Sequence, residues 1–117
     1  MKKVLLIGGS GFIGQNLSET LKNKYSVGIV DIKDEPTMVR DNTVYYKADF
    51  FGEGIDSRLV DEYDEVFLLA CSVGPKTSTV SPKQCYQKDI IALIDLLEQV
   101  RKTNHRIIFI SSGGTVY

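Results

Sequence analysis

The stretch Val4-Leu5-Leu6-Ile7-Gly8-Gly9-Ser10-Gly11-Phe12-Ile13-Gly14 decides the fold. Its four leading apolar residues, with no polar alternation, suit a strand covered on both faces, and the glycines end that strand at once. From Phe12 onward Ile13, Leu17 and Leu21 recur every four residues among Gln15, Asn16, Ser18, Glu19 and Lys22, which predicts one apolar helical face. A glycine loop is thus expected between a strand and a helix. There Gly8 can turn sharply, Gly11 lets the backbone approach a diphosphate with no side chain intervening, and Gly14 lets the helix pack close on the sheet. The phosphates would sit where unpaired N–H groups and the helix dipole point. A tight turn without a ligand is the alternative, and the strand-loop-helix setting disfavours it.

Further apolar runs stand at 27–30, 66–70 and 107–110, with a weaker aromatic one at 44–46. From Pro82 the positions Tyr86, Ile90, Leu93, Ile94, Leu97 and Val100 predict a helix of about five turns, with Pro82 in its first turn. A shorter helix is expected over 55–60, after Gly52 and Gly54. Such alternation calls for right-handed crossovers and predicts a three-layer α/β Rossmann fold. Its parallel sheet would have about five strands in the order 3-2-1-4-5, with residues 1–117 forming one domain. The longest irregular piece, 71–81, holds Gly74, Pro75 and five hydroxyl residues, and loops of that length are often functional.

The second strand ends at Asp31, 23 residues beyond Gly8, with Ile32 next to it. A carboxylate there can accept hydrogen bonds from both ribose hydroxyls of an adenosine and would repel a 2′-phosphate, so NAD is expected rather than NADP. The plainer alternative is a solvated strand-end residue.

Composition narrows the remaining choices. The 117 residues carry 14 Lys and Arg against 15 Asp and Glu, a net charge of −1, with 43% hydrophobic residues. That is enough for one core, and opposite charges mixed along the chain give no footprint for nucleic acid or an anionic membrane. Cys71 and Cys85 have neither disulfide-framework nor zinc-ligand spacing, so a reduced, cytoplasmic chain is expected. The apolar run at 4–7 is too short for an export core or a membrane span. His105, the only histidine, reads as an exposed turn residue in preference to a general base, and no metal site can be built from it. Tyr45-Tyr46 reads most economically as a packing pair, with an aromatic beside an adenine pocket as the alternative.

With these residues in view, the chain resembles the extended short-chain dehydrogenase/reductase family, the NAD-dependent nucleotide-sugar epimerases and dehydratases. Gly8-Gly9-Ser10-Gly11-Phe12-Ile13-Gly14 is similar to that family's cofactor loop. Lys47-Ala48-Asp49-Phe50 resembles the segment whose Asp contacts the adenine edge. Phe67-Leu68-Leu69-Ala70-Cys71 resembles the strand end beneath the cofactor, with Leu68 and Cys71 in place of the usual His and Ala. Ile110-Ser111-Ser112-Gly113-Gly114-Thr115-Val116-Tyr117 resembles the Ser-Ser and Val-Tyr-Gly strand exit. Asp89 stands where the family usually has an Asn that orients the cofactor end of the pocket. The resemblance therefore implies cofactor contacts from Gly8, Gly11, Phe12, Ile13, Gly14, Asp31, Ile32, Asp49, Phe50, Leu69, Ala70, Cys71 and Asp89. Gly113 stands where the family usually has its substrate-binding Ser or Thr, so the resemblance implies a substrate-facing hydroxyl from Ser112 or Thr115, for which a loop hydroxyl capping a strand end is the alternative.

The family's chemistry is a hydride cycle between a sugar carbon and NAD, with a Tyr taking the hydroxyl proton and a Lys four residues later lowering that Tyr's pKa. None of the six tyrosines has such a partner: Ile29, Asp49, Phe50, Phe67 and Ile90 follow Tyr25, Tyr45, Tyr46, Tyr63 and Tyr86, and Tyr117 is the last residue. The expectation is a chain truncated before the catalytic helix, inactive by itself, whose full-length form takes a nucleotide-sugar substrate. A fifth strand left at an edge, or its neighbouring helix, is expected to promote a homo-oligomer. Two rivals stay open, a non-catalytic dinucleotide-sensing module and a methyltransferase using S-adenosylmethionine. The second gives no reason for Phe12-Ile13-Gly14.

Overall fold

The computed structural model describes residues 1–36, 38, 40–70, 82–101 and 103–110. Its strands are β1 (Lys3–Ile7), β2 (Ser26–Asp31), β3 (Thr43–Lys47), β4 (Glu65–Leu68) and β5 (Arg106–Phe109). Its helices are α1 (Phe12–Leu21), α2 (Ser57–Asp61) and α3 (Pro82–Val100). All strand pairs are parallel, in the order β3-β2-β1-β4-β5. This is the Rossmann-type arrangement expected from the alternation of strand and helix patterns.

The unbroken apolar run of β1 serves two layers at once. Leu5 and Ile7 join Val30, Val66 and Leu68 under Ala92, Leu96 and Val100 of α3. Val4 and Leu6 join Val27 and Ile29 on the opposite face, where Leu17 and Leu21 of α1 cover them. Below the sheet face that α3 covers, Tyr63 lies against Gly28, where a Cβ would stand 2.3 Å from the Tyr63 hydroxyl. That hydroxyl shares a 3.1 Å hydrogen bond with the Tyr46 hydroxyl, and burial pushes the phenol's pKa up.

Helix faces differ from the simple periodic reading. In α1 the buried positions are Gly14 and Ser18, and Ile13 is 53% exposed. Small residues turn toward the sheet, and Ser18 satisfies its hydroxyl by donating to the carbonyl of Gln15 at 3.0 Å. In α3 the buried line is Ala92, Leu96 and Val100 with Leu93 beside it, while Ile90, Ile94 and Leu97 are 44–52% exposed. That helix is apolar on two faces, and the small Ala92 marks the one that approaches the sheet. Helix α2 begins later than 55 because Asp56 caps it, its side chain accepting from the amide of Arg58 at 2.9 Å. Ile55 is buried outside the helix. Strand β4 stops at Leu68, and Leu69 makes one further bond, its amide donating to the carbonyl of Ile7 at 2.9 Å. Among the described residues no helix is long and apolar enough to cross a membrane.

Candidate functional site

Register assembles the site. Ile7 pairs with Val30 on one side and Leu68 on the other, so three strands end level and release Gly8, Asp31 and Leu69-Ala70 side by side. Strand β1 is also where the strand order reverses, and the connections leaving on opposite faces open a crevice there.

Gly8 is in the left-handed region at φ 84, and its amide donates to the carbonyl of Val30 at 2.7 Å. A Cβ at this position would approach Ala70 to 2.8 Å, so both conformation and space demand glycine. Gly11 is the N-cap of α1 and has no side chain to bond the helix's first amides. Among the described residues a Cβ on Gly11 would meet only the Gly8 carbonyl oxygen, at 3.8 Å, whereas one on Gly14 would stand 2.5 Å from Gly9 backbone atoms. Intrahelical bonding starts with the amide of Gln15, which donates to the Gly11 carbonyl at 2.9 Å. The amides of Phe12, Ile13 and Gly14 are the orphan donors of a helix N-terminus, and Phe12 itself is 86% exposed.

Asp31 holds this loop from the side. Its Oδ2 accepts from the Ser10 amide at 2.9 Å and its Oδ1 from the Ile32 amide at 2.7 Å, both charge-assisted. Gln15 Nε2 donates to the Ser10 carbonyl at 3.3 Å, and Arg40 Nη2 donates to Gln15 Oε1 at 3.1 Å. The Arg40 side chain is only 8% exposed and also donates through Nε to Glu19 at 2.7 Å. Lys22, and after it Arg40, hold the Glu19 carboxyl below its ordinary pKa. Lys47 pairs with Asp34 and lowers that carboxyl likewise. Tyr45 donates its hydroxyl to the Lys33 carbonyl at 2.6 Å, while Tyr46 faces the other layer.

After β3 the chain turns around Asp49, whose Oδ1 accepts from the amides of Phe51 at 3.2 Å and Gly52 at 3.1 Å. A Cβ on Gly52 would stand 2.5 Å from Asp49 Oδ2. Phe50 and Phe51 stack edge to face, centroids 5.1 Å apart. These pieces wall a groove of about 310 Å³ lined by Gly8, Asp31, Ile32, Asp49, Phe50, Phe51, Gly52, Ala70 and Lys88, with Ile7, Val30 and Ala48 completing it. A second hollow of about 370 Å³ lies across Phe50 and Phe51 toward α3, away from the strand ends.

Of the residues expected from sequence, Gly8, Asp31, Ile32, Asp49, Phe50 and Ala70 line the groove together. Gly11, Phe12, Ile13 and Gly14 form the adjoining helix mouth. Leu69 packs with the cluster on the α1 side of the sheet. Asp89 is half-buried on α3, and its neighbour Lys88 is the residue that lines the groove. Cys71, Ser112 and Thr115 lie outside the described residues. Sequence reasoning missed Phe51, Gly52 and Lys88. For Gly52 a signal existed, the Asp-x-x-Gly turn pattern at 49–52. His105 is half-buried, with Nδ1 against the Thr103 hydroxyl, and among the described residues no group of His, Cys, Asp and Glu could hold a metal.

Chemically, the crevice offers free amides at a positive helix end, carboxylate oxygens with lone pairs to spare, and an apolar floor. Such a set can take a diphosphate, a vicinal diol and a planar base.

Comparison with known proteins points the same way. A D-erythronate dehydrogenase of Haemophilus influenzae is 31% identical over 119 residues, covering 96% of this chain and 38% of that protein. An epimerase of Methanothermobacter thermautotrophicus superposes with a TM-score of 0.85 at 28% identity, covering 99% of this chain and 37% of that one. A UDP-glucose 4-epimerase of Bifidobacterium longum, solved in complex with NAD+ and UDP, superposes with a TM-score of 0.78 at 27% identity, covering 96% and 37%. The chain thus spans less than two fifths of the length of each. A family model described as the NAD dependent epimerase/dehydratase family matches residues 4–117, and the chain belongs to that family.

Proposed function

We propose that this chain holds NAD at its strand ends and forms the dinucleotide-binding portion of a nucleotide-sugar epimerase or dehydratase. The observation that carries the reading is the open N-terminus of α1 beside the acidic end of β2. The residues present fit the cofactor. A Cβ at Gly8 would fill the floor of the crevice, and the groove of about 310 Å³ has the size of an adenosine pocket with a carboxylate at each of two corners. In this reading the amides of Phe12, Ile13 and Gly14 take the diphosphate, with Gly11 letting it approach. Asp31 keeps its two amide bonds and accepts the ribose hydroxyls on its remaining lone pairs, while its charge rejects a 2′-phosphate. Asp49 accepts from the adenine edge, Phe50 and Ile32 cover the base, and Ala70 lies beneath.

When bound, NAD supplies the hydride acceptor for oxidation at a sugar carbon. The nucleotide-sugar substrate belongs to the same proposal, supported by the UDP bound to the Bifidobacterium longum relative. So does a homo-oligomer, supported by the exposed Ile90, Ile94, Leu97 and Phe109.

Calorimetric titration tests the reading. The protein should bind NAD+ and bind NADP+ at least about tenfold more weakly. Because a Cβ at Gly11 has 3.8 Å of clearance, G11A should keep its unfolding free energy within about 1 kcal/mol of the parent. It should nonetheless lose about tenfold or more in NAD+ affinity, since the methyl group would point at the diphosphate. No heat with NAD+, or unchanged affinity in G11A, would overturn the assignment.

A further inference from the structure

Among the described residues, the charges that line the groove do not balance. Asp31 and Asp49 line it, and among the described residues Lys88, on the second turn of α3, is the one basic side chain that does so. The cations at the end of β3 and in the β2–β3 connection do not line the groove and are engaged elsewhere: Arg40 with Glu19 and Gln15, Lys47 with Asp34, and Lys33 has its own contact. Lys88 is exposed and forms no ion pair with any described residue.

A diphosphate brings two negative charges to a groove already holding two carboxylates. The helix end offsets roughly half an elementary charge, and the backbone amides on Asp31 and Asp49 screen those carboxylates only in part. The remaining imbalance calls for a full cation, and Lys88 carries one on a long flexible stem in the groove that Gly8 and Ala70 also line. We propose that Lys88 is a ligand-binding residue whose ammonium reaches across the groove from α3 and pairs with a phosphate oxygen of the bound dinucleotide. The same chemistry could serve the diphosphate of a nucleotide sugar. Lys88 shares its groove with Asp31, Ile32 and Asp49, the adenosine side, which assigns it to the dinucleotide.

This inference rests on the NAD reading, and the experiment separates the two. NAD+ and UDP are titrated separately into the parent protein, K88M and K88R at low and high salt. K88M should weaken NAD+ binding about tenfold at low salt. The gap should narrow at high salt, because an exposed ion pair is screened. K88R should stay within about threefold of the parent, and UDP binding should not change. Unchanged NAD+ affinity in K88M, a loss equal at every salt concentration, or a loss confined to UDP overturns the Lys88 assignment alone. A parent protein that binds no NAD+ removes the functional reading, and the role of Lys88 falls with it.

Discussion

Replacing Gly14 with alanine tests whether packing of α1 shapes the glycine loop. The new Cβ would lie 2.5 Å from the Gly9 Cα and carbonyl oxygen and 2.6 Å from the carbonyl carbon. Nonbonded carbons rest at roughly 3.5 Å, so α1 and the loop must separate by about 1 Å. Two effects compete. Alanine is favoured over glycine inside a helix by about 1 kcal/mol, and less in the first turn, where Gly14 sits. Overpacking costs about 1–3 kcal/mol, toward the upper end here because all the nearest atoms are main chain and cannot rotate aside. The clash should win, leaving G14A about 1–2 kcal/mol less stable in urea unfolding. Binding should suffer more. A shift of about 1 Å moves the amides of Phe12 and Ile13 away from the position set by Gly8 and Gly11, costing about 1.4–3 kcal/mol of NAD+ affinity, or roughly ten- to a hundredfold. A G14A protein as stable as the parent, binding NAD+ equally well, would show that the close approach of α1 to Gly9 does not set the loop.

Two further outcomes follow from the packing and the charges. Leu96 is 1% exposed in the cluster that joins α3 to the sheet, so L96A should lower the urea unfolding free energy by about 2–5 kcal/mol, and a loss under 1 kcal/mol would contradict that packing. The carboxyls of Glu19 and Asp34 lie below their ordinary values of 4.5 and 3.8, so the folded state holds fewer protons than the unfolded one there. Their support of the β2–β3 connection is complete above those ordinary values and lost as pH falls through the lowered ones. Amide exchange at Lys33, Asp34 and Arg40, corrected for intrinsic rates, should rise from pH 5 to pH 3 while that of β1 does not, and flat exchange would refute it.

Much of the architecture was legible because its causes are local. The run at 4–7, the glycines after it and the change of period at Phe12 each act within a few residues, and the alternation of elements then leaves one economical sheet order. The place of Asp31 at a strand end was legible for the same reason, whereas Asp49 was singled out only by the family resemblance of residues 47–50. The buried face of α3 was not legible. Ile90, Leu93, Ile94 and Leu97 satisfy the helical period as well as Leu93, Leu96 and Val100 do, and the choice is made by Ala92 meeting the sheet, a tertiary event. Lys88 was hidden likewise: no sequence pattern says that the second turn of α3 borders the end of β2. The bonds from Asp31 to the Ser10 and Ile32 amides depend on loop closure, which residue types alone do not encode.

Those two bonds constrain how this scaffold could be retooled. The carboxylate that would discriminate between ribose forms also braces the glycine loop, so preference and shape would share one side chain. A lineage exchanging Asp31 for a small neutral residue to admit a phosphorylated ribose would strand the Ser10 amide and slacken the cradle in the same step. Any successful conversion must import a substitute acceptor together with its new cation.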